Sequence, residues 1–210
     1  KVDYNSLNVT AAASKALKWN SSADGFETGD VAGALVLLET QTASADGTLD
    51  FTSNIDSTYK EYIFKCYNIH PATNDVMLTF QGSTDTGSSY GVTMTTTFFN
   101  AHHKEDDASA ALAYITNRDQ AQGTDFQRLH YDVGNANDED TCGTFHLFNP
   151  SSTTFVKHFY STFVGNGQGE DCMNDYVAGY FNTTSAIDAI QFKMVEGNID
   201  TGVIKLYGVK

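Results

Sequence analysis

The sequence predicts an all-β protein, an antiparallel jelly-roll-like β-sandwich that follows a short N-terminal arm. The first observation is a series of about ten short segments in which apolar and polar residues alternate with a period of two. The second is their richness in aromatic and β-branched residues, which favour a half-buried pleated surface. The third is that turn-forming residues, mainly glycine, asparagine, aspartate and serine, separate the segments at near-regular intervals.

The arm occupies residues 1–33 and differs in composition from the rest of the chain. Residues 10–18 are rich in alanine and lysine and are compatible with two helical turns. Residues 19–26 have turn chemistry between two large aromatic residues, Trp19 and Phe26. Because large exposed aromatics are costly, we interpret the arm as an attachment segment that packs on this domain or on a neighbouring subunit. A flexible terminus is the alternative.

The predicted sandwich occupies residues 34–210. Residues 34–41 begin as a continuous apolar strand, residues 46–47 form an Asp-Gly turn, and residues 58–69 are rich in aromatic and β-branched residues. Residues 108–116 fit either a short helix or a strand. The other segments predicted as strands are residues 48–52, 76–81, 90–99, 126–133, 144–148, 155–164, 176–181, 187–195 and 203–209.

The charge of the chain argues against two classes of partner. Twelve basic residues against 26 acidic residues give a net charge of −14. Such a surface repels phosphate backbones and anionic lipid head groups, so we expect no nucleic-acid binding and no docking on acidic membranes. The longest apolar run, residues 32–38, is far too short to span a bilayer, and the first residues lack the apolar core of a secretory signal. We therefore expect a soluble product without membrane insertion, made in a cytoplasm.

The sequence contains no recognisable catalytic motif, and we expect no enzymatic activity, no cofactor and no metal. The patterns GxSxG, HExxH and the P-loop do not occur. His102 and His103 lie in a predicted charged loop, residues 100–107, where adjacent side chains of an extended chain point apart and do not share an ion. The acidic runs at residues 138–140 and 170–171 lack the alternating carboxylate spacing of a calcium loop.

Three cysteines at long, irregular spacings give no zinc pattern. Cys66 lies in an apolar run and is predicted to be a buried thiol. Cys142 and Cys172 lie in polar, loop-like stretches, and the sequence leaves open whether a disulfide joins them.

Several stretches of the sandwich carry a resemblance to a known family. They include Asn68-Ile69-His70-Pro71 and Gly197-Asn198-Ile199-Asp200-Thr201-Gly202, within residues 38–44, 49–62, 68–75, 83–90, 186–192 and 197–209. In this order they resemble the β-sandwich domains at the carboxyl ends of tail-fibre and related structural proteins of tailed phages, especially marine ones. The resemblance covers roughly residues 34–210, and residues 16–20 resemble the connector that often precedes such domains.

The resemblance implies a virion structural role, assembly as a homotrimer, and distal surfaces available to a host receptor. It implies localisation on the surface of the virion, with the arm binding other virion proteins, and it carries over no catalytic residue. Here the arm is short and no long triple-helical shaft is present, so a fibre tip and a small appendage or decoration protein of the capsid both stay open.

Two other function classes are compatible with the sequence. A carbohydrate-binding, lectin-like module uses exposed aromatics to stack on sugar rings, and Tyr90, Tyr160 and Tyr176 are the candidates because they lie beside predicted loops. A depolymerase would need two carboxylates that face each other across a cleft. The predicted sheets have long edge strands that need cover, which motivates self-association, with Trp19 of the arm packed on a neighbouring subunit.

Overall fold

The structure, a computed structural model, describes residues 15–30 and 34–210, and within these ranges the chain forms fourteen β-strands and no helix. Two compact units are present, Lys1–Ala34 and Leu35–Lys210. The strands are β1 Lys15–Trp19, β2 Phe26–Asp30, β3 Leu35–Asp46, β4 Leu49–Phe51, β5 Glu61–Pro71, β6 Leu78–Ser83, β7 Met94–Lys104, β8 Ala110–Tyr114, β9 Gln127–Arg128, β10 Thr141–Phe148, β11 Lys157–Gly167, β12 Asp171–Phe181, β13 Ala189–Met194 and β14 Ile199–Val209.

The described part of the first unit is a single hairpin in which β1 and β2 pair antiparallel. Trp19 lies opposite Phe26, and their rings stack with centroids 4.3 Å apart. The prediction of helical turns for residues 10–18 is wrong over residues 15–18, which belong to β1, while residues 10–14 lie outside the described residues. A helix of about two turns is not stable by itself in water, whereas an aromatic cross-strand pair stabilises a hairpin.

The second unit consists of two antiparallel sheets. The large sheet has eight strands in the order β3-β14-β5-β10-β11-β12-β7-β8, and the small sheet has four in the order β4-β13-β6-β9. The predicted all-β antiparallel sandwich is therefore confirmed. A jelly roll has eight strands in two Greek keys, whereas these sheets contain twelve, and the jelly-roll connectivity stays a prediction.

The core lies between the two sheets and is built mainly from phenylalanine. Phe80 of the small sheet packs on Phe145 and Phe159 of the large sheet, with ring centroids 4.4 and 5.1 Å apart. Phe192 of the small sheet contacts Phe64 of the large sheet in the same way, at 5.3 Å. These interlocking rings are fully or almost fully buried, and each contributes about 2–3 kcal/mol through loss of apolar surface from water.

Several segments differ from the sequence-based expectation. The strand predicted for residues 126–133 is confined to β9, Gln127–Arg128, and the strand predicted for residues 90–99 begins only at Met94. Residues 108–116 contain a strand, β8, because residues 110–114 pair with β7 at the edge of the large sheet. The predicted charged loop at residues 100–107 is wrong at its start, since β7 runs through Lys104 and pairs with β12 along its whole length. Asn100 is buried on the inner side of this extension, so the pairing of the backbone outweighs the polar composition of the segment.

A histidine and an aspartate are buried side by side in the core. His130 Nδ1 lies 2.7 Å from Asp175 Oδ2, and both side chains are fully buried. The same carboxylate oxygen accepts the backbone N–H of Tyr131 at 2.6 Å. His130 lies so close to Gly165 that a Cβ at residue 165 would be 2.6 Å from Nε2. The absence of a side chain at this position of β11 therefore makes room for the imidazole.

Candidate functional site

The candidate site is the outer face of the large sheet, defined as the face turned away from the small sheet. The two-residue period of the strands separates the two faces clearly. In β11, Phe159, Ser161 and Phe163 are buried against the core, whereas Tyr160 and Val164 between and beyond them are exposed. The strands that flank β11 alternate in the same phase, so their outward residues form continuous rows across the face.

One row of the outer face carries a stack of aromatic rings across β10 and β11. His146 lies directly opposite Tyr160, and their rings are parallel within 10° with centroids 4.4 Å apart. Phe148 adds a third ring, 5.8 Å from Tyr160. Glu61 of β5 contacts His146 Nδ1 at 2.7 Å and fixes the orientation of the imidazole. Glu61 therefore holds the His146 ring in the position in which it stacks on Tyr160.

A second stack crosses β12 and β7. Tyr176 lies opposite Phe99, with the rings parallel within 10° and 4.9 Å apart. The Tyr176 hydroxyl accepts a hydrogen bond from Asn174 Nδ2 at 2.9 Å. Tyr114 of the edge strand β8 lies opposite Phe99 on the other side, so aromatic residues continue to the edge of the sheet. Stacked rings of this kind stabilise one another by about 0.5–1.5 kcal/mol.

A groove lies beside the first stack, that of His146, Tyr160 and Phe148, with Ala178 at its floor. Ala178 lies opposite Tyr160 on one neighbouring strand and opposite Thr97 on the other. Phe148, Tyr180 and further residues complete the lining of a groove of about 430 Å³. The lining residues are Thr95, Thr96, Thr97, Phe148, His158, Phe159, Tyr160, Ala178, Gly179 and Tyr180. The small side chain at residue 178 creates the depression between larger neighbours.

Charged groups are scarce on the outer face, although the chain carries 26 acidic residues. Glu61 and Asp200 are the two carboxylates at the outward positions of β5, β7, β10, β11, β12 and β14, and they lie next to His146 and His70 respectively. Lys65 and Lys205 lie opposite each other on β5 and β14, and each ammonium group approaches a tyrosine ring. The negative charge of the protein is therefore carried elsewhere on its surface.

The structure brings two of the three candidate tyrosines onto one surface. Tyr160 and Tyr176 are exposed near the middle of strands, not beside loops, and they lie on adjacent strands of the outer face. Tyr90 lies apart from them, in the segment before β7, with its ring 6.5 Å from Phe126. Burial raises the pKa of the Tyr90 phenol, and the neighbouring Asp50 carboxylate raises it further.

Trp19 and Phe26, the candidates for attachment, stack on each other in the hairpin of the first unit and are both exposed.

Sequence reasoning missed the partners of these tyrosines, namely His146, Phe148 and Ala178. Each occupies an outward position in its strand, and the alternating pattern by itself indicates that much. Their neighbourhood follows from the register between strands, in which His146 pairs with Tyr160 and Tyr160 with Ala178. A sequence pattern gives the face on which a residue lies but not its partner on the next strand.

No cluster of metal-ligating residues is present in the described part of the chain. His102 and His103 contact Ser109 and Asp107 respectively, at 3.2 and 3.0 Å.

All three cysteines are free, so no disulfide joins Cys142 and Cys172. Cys66 is buried, as predicted, and burial raises the pKa of its thiol. Cys142 Sγ accepts the backbone N–H of Asn68 at 3.1 Å.

Comparison with known proteins adds no relative. No protein-family model matches the chain, and no curated protein is significantly similar to it. Within the described ranges, no helix has the length and apolar character needed to cross a membrane.

Proposed function

We propose that the protein is a non-enzymatic structural subunit of a bacteriophage particle, a tail-fibre or capsid-appendage component that binds through the outer face of its large sheet. The observation that carries the proposal is this face, on which exposed aromatic residues stand in rows with only two carboxylates, Glu61 and Asp200, among the outward residues of six strands. Aromatic enrichment and depletion of acidic residues are typical of binding surfaces. The resemblance of residues 34–210 to phage fibre domains supports the assignment to a virion.

The dimensions of the outer face are compatible with a protein interface. Eight strands about 4.8 Å apart, most of them rising about 3.3 Å per residue over 8 to 12 residues, give a face on the order of 1,000 Å². A standard interface needs about 800 Å² from each partner. The edge strands β3 and β8 each pair on one side only within the described sheet, which favours cover by another chain. These features support self-association, and the resemblance to phage fibre domains is the ground on which we propose a homotrimer.

The arm is the proposed attachment to other virion proteins. In its hairpin, Trp19 and Phe26 expose 61% and 38% of their surfaces, which is unusual for residues of this size. Deletion of residues 1–33 should weaken assembly of the chain, as measured by native mass spectrometry. The double variant Trp19→Ala/Phe26→Ala should reproduce part of the effect, and unchanged assembly of both variants would contradict the proposed role.

The particle assignment is tested on virions purified from an infected culture whose genome encodes the chain. Quantitative mass spectrometry should find the chain in stoichiometric amounts, and immunogold imaging should place it. A few copies at the tail indicate a fibre tip, and many copies over the shell indicate a decoration protein. Intact, infectious particles that lack the chain would overturn the proposal.

A further inference from the structure

The groove at Ala178 is built from groups that bind uncharged polar rings. Tyr160 stacks on His146 of β10 with one ring face, so its other face is turned toward β12, where Ala178 lies opposite. Tyr160 is 42% exposed, and a ring face that is open beside a small residue accepts a flat apolar partner. The Tyr160 ring and the Ala178 side chain beside it therefore offer apolar contact in a groove that stays open to solvent.

A few hydrogen-bonding groups lie among the mainly apolar residues that line the groove. Tyr180 and His158 lie opposite each other on β12 and β11, with ring centroids 6.0 Å apart, and both line the groove. Thr95 and Thr97 line the other side, on β7. Hydroxyl and imidazole groups act as donors or acceptors, so they fit ligands that carry many hydroxyl groups.

The charge of the groove selects among such ligands. No aspartate, glutamate, lysine or arginine lines it. The chain as a whole has a net charge of −14 and repels anions, and the groove contains no carboxylate to attract a cation. The ligand that fits is therefore neutral, with an apolar ring face and hydroxyl groups at its rim, which describes a neutral saccharide.

Two other occupants of the groove are an extended peptide and a second copy of the chain. An extended peptide binds a sheet by adding a strand at an edge, but β12 is paired on both sides, with β11 and β7, and has no free backbone edge. A second copy of the chain would cover the groove together with the rest of the outer face, and the oligomeric state of the groove variants tests that occupant.

We propose that the groove at Ala178 is a binding site for a neutral saccharide, in which Tyr160 stacks on the apolar face of a sugar ring and Tyr180, His158 and Thr97 hydrogen-bond its hydroxyl groups. The inference rests on the receptor-binding form of the proposed function and adds the class of ligand. A site with one stacking ring and few polar partners should bind with a dissociation constant on the order of 1 mM.

The test uses the full chain and saturation-transfer NMR with a panel of saccharides. The neutral probes are tetrasaccharides of glucose, of galactose, of mannose and of N-acetylglucosamine, and the anionic probes are a sulfated and a uronic-acid tetrasaccharide. At least one neutral probe should bind, and neither anionic probe should bind more tightly. No signal from any neutral probe at about 10 mM, or tighter binding of an anionic probe, would overturn the inference.

Four variants locate the site. Tyr160→Ala removes the stacking ring and Ala178→Leu fills the groove, and each should weaken binding by about tenfold or more. Tyr160→Phe keeps the ring and should bind nearly as well as the wild type. The matched control is Tyr67→Ala, because Tyr67 is 41% exposed on the same face but lies outside the groove. Binding that survives both Tyr160→Ala and Ala178→Leu, or that is lost equally in Tyr67→Ala, overturns the site.

The remaining outcomes separate this inference from the proposed function. A chain that is present in virions but binds no neutral saccharide refutes the groove and leaves the structural role intact. Saccharide binding by a chain that is absent from virions refutes the structural role and leaves the groove intact. Dissociation of an oligomer by Tyr160→Ala, without any saccharide signal, assigns the groove to a second copy and overturns the inference.

Discussion

The two faces of the large sheet are both aromatic, yet they differ in residue type and in ring geometry. On the inner face, Phe145 and Phe159 meet rings of the small sheet edge to face or tilted, as Phe159 does with Phe80 at 85°. On the outer face, Tyr160 and Tyr176 stack nearly parallel on rings of neighbouring strands. Inner rings interlock between two layers, whereas outer rings stand side by side on one layer and keep their edges and hydroxyl groups in solvent.

This difference teaches what each set of aromatics contributes. A buried phenylalanine lowers the free energy of folding through the apolar surface it removes from water. A tyrosine that remains about 40% exposed gains less on folding, and its unburied area is available to a partner. We therefore assign stability to the inner face and binding to the outer face, and the following variants test that division from the largest expected effect to the smallest.

The largest effect is expected for Phe145→Ala. Phe145 is fully buried and packs on Phe64, Phe80 and Phe192, so its truncation leaves a cavity in the centre of the core. The free energy of unfolding should fall by about 3–5 kcal/mol, as measured by urea denaturation. The control, Tyr160→Ala, should cost about 1 kcal/mol or less. Equal losses for the two variants would abolish the distinction between the faces.

A slightly smaller effect is expected for Asp175→Ala, which leaves His130 buried without its partner. The variant also leaves the backbone N–H of Tyr131 without its acceptor, and buried polar groups without partners cost about 1–3 kcal/mol, so the urea midpoint should fall. Asn174→Ala is the control, because Asn174 is the adjacent residue on the outer face. A loss for Asn174→Ala as large as that for Asp175→Ala would show that burial does not decide the cost.

A pH-dependent effect of intermediate size is expected at Asp132. This residue is partly buried, and its backbone carbonyl lies against Gly167 at the end of β11. Burial, together with a smaller contribution from the neighbouring Asp75 carboxylate, raises the pKa of Asp132 from 3.8 to about 6. The folded chain therefore binds the proton more tightly than the unfolded chain. The stabilisation by this proton is complete below about pH 4 and is lost as the pH rises through about 6.

Asp132→Asn removes this dependence. The variant should be more stable than the wild type by about 1 kcal/mol near pH 8, a value reduced from the full shift because the side chain is partly exposed, and equally stable near pH 4. Urea denaturation at the two pH values measures the difference. A variant that is less stable than the wild type near pH 8 would contradict the expected sign.

The smallest effect on stability is expected from Tyr176→Phe, which removes a hydroxyl group that accepts one exposed hydrogen bond from Asn174. The ring stays stacked on Phe99, so the free energy of unfolding should change by about 0.5 kcal/mol or less. Thermal denaturation by circular dichroism measures it. A large loss would show that the outer stacks stabilise the fold as strongly as the core does.

A strand's sequence indicates on which face of the sheet a residue lies, but it does not indicate which residues lie next to it on the adjacent strands. The alternation of β11 puts the neighbours Phe159 and Tyr160 on opposite faces, because the period of a strand is a local property, although the sequence predicted that Tyr160 lies beside a loop. The proximity of His146, Tyr160 and Ala178 depends on the register of three strands, which local pattern does not encode.

Polar composition also misled the prediction where tertiary pairing decides the structure. Residues 100–104 are polar or charged in part, yet pairing with β12 and β8 keeps them in β7. The same holds for the start of β12, where Asp175 reads as a surface residue in the sequence but is buried against His130. The burial of Asp175 could not be predicted from the sequence, because its partner His130 is distant along the chain.

The most direct test of the central claim, that the outer face is a binding surface, is hydroxyl-radical footprinting of the tyrosines. The free chain is compared with the same chain in virions adsorbed to host cells. Tyr160 and Tyr176 should be oxidised readily in the free chain and severalfold more slowly in the adsorbed virions, while Tyr62, which is fully buried, should react slowly in both. Tyr160 and Tyr176 that react as fast in adsorbed virions as in the free chain would contradict the claim.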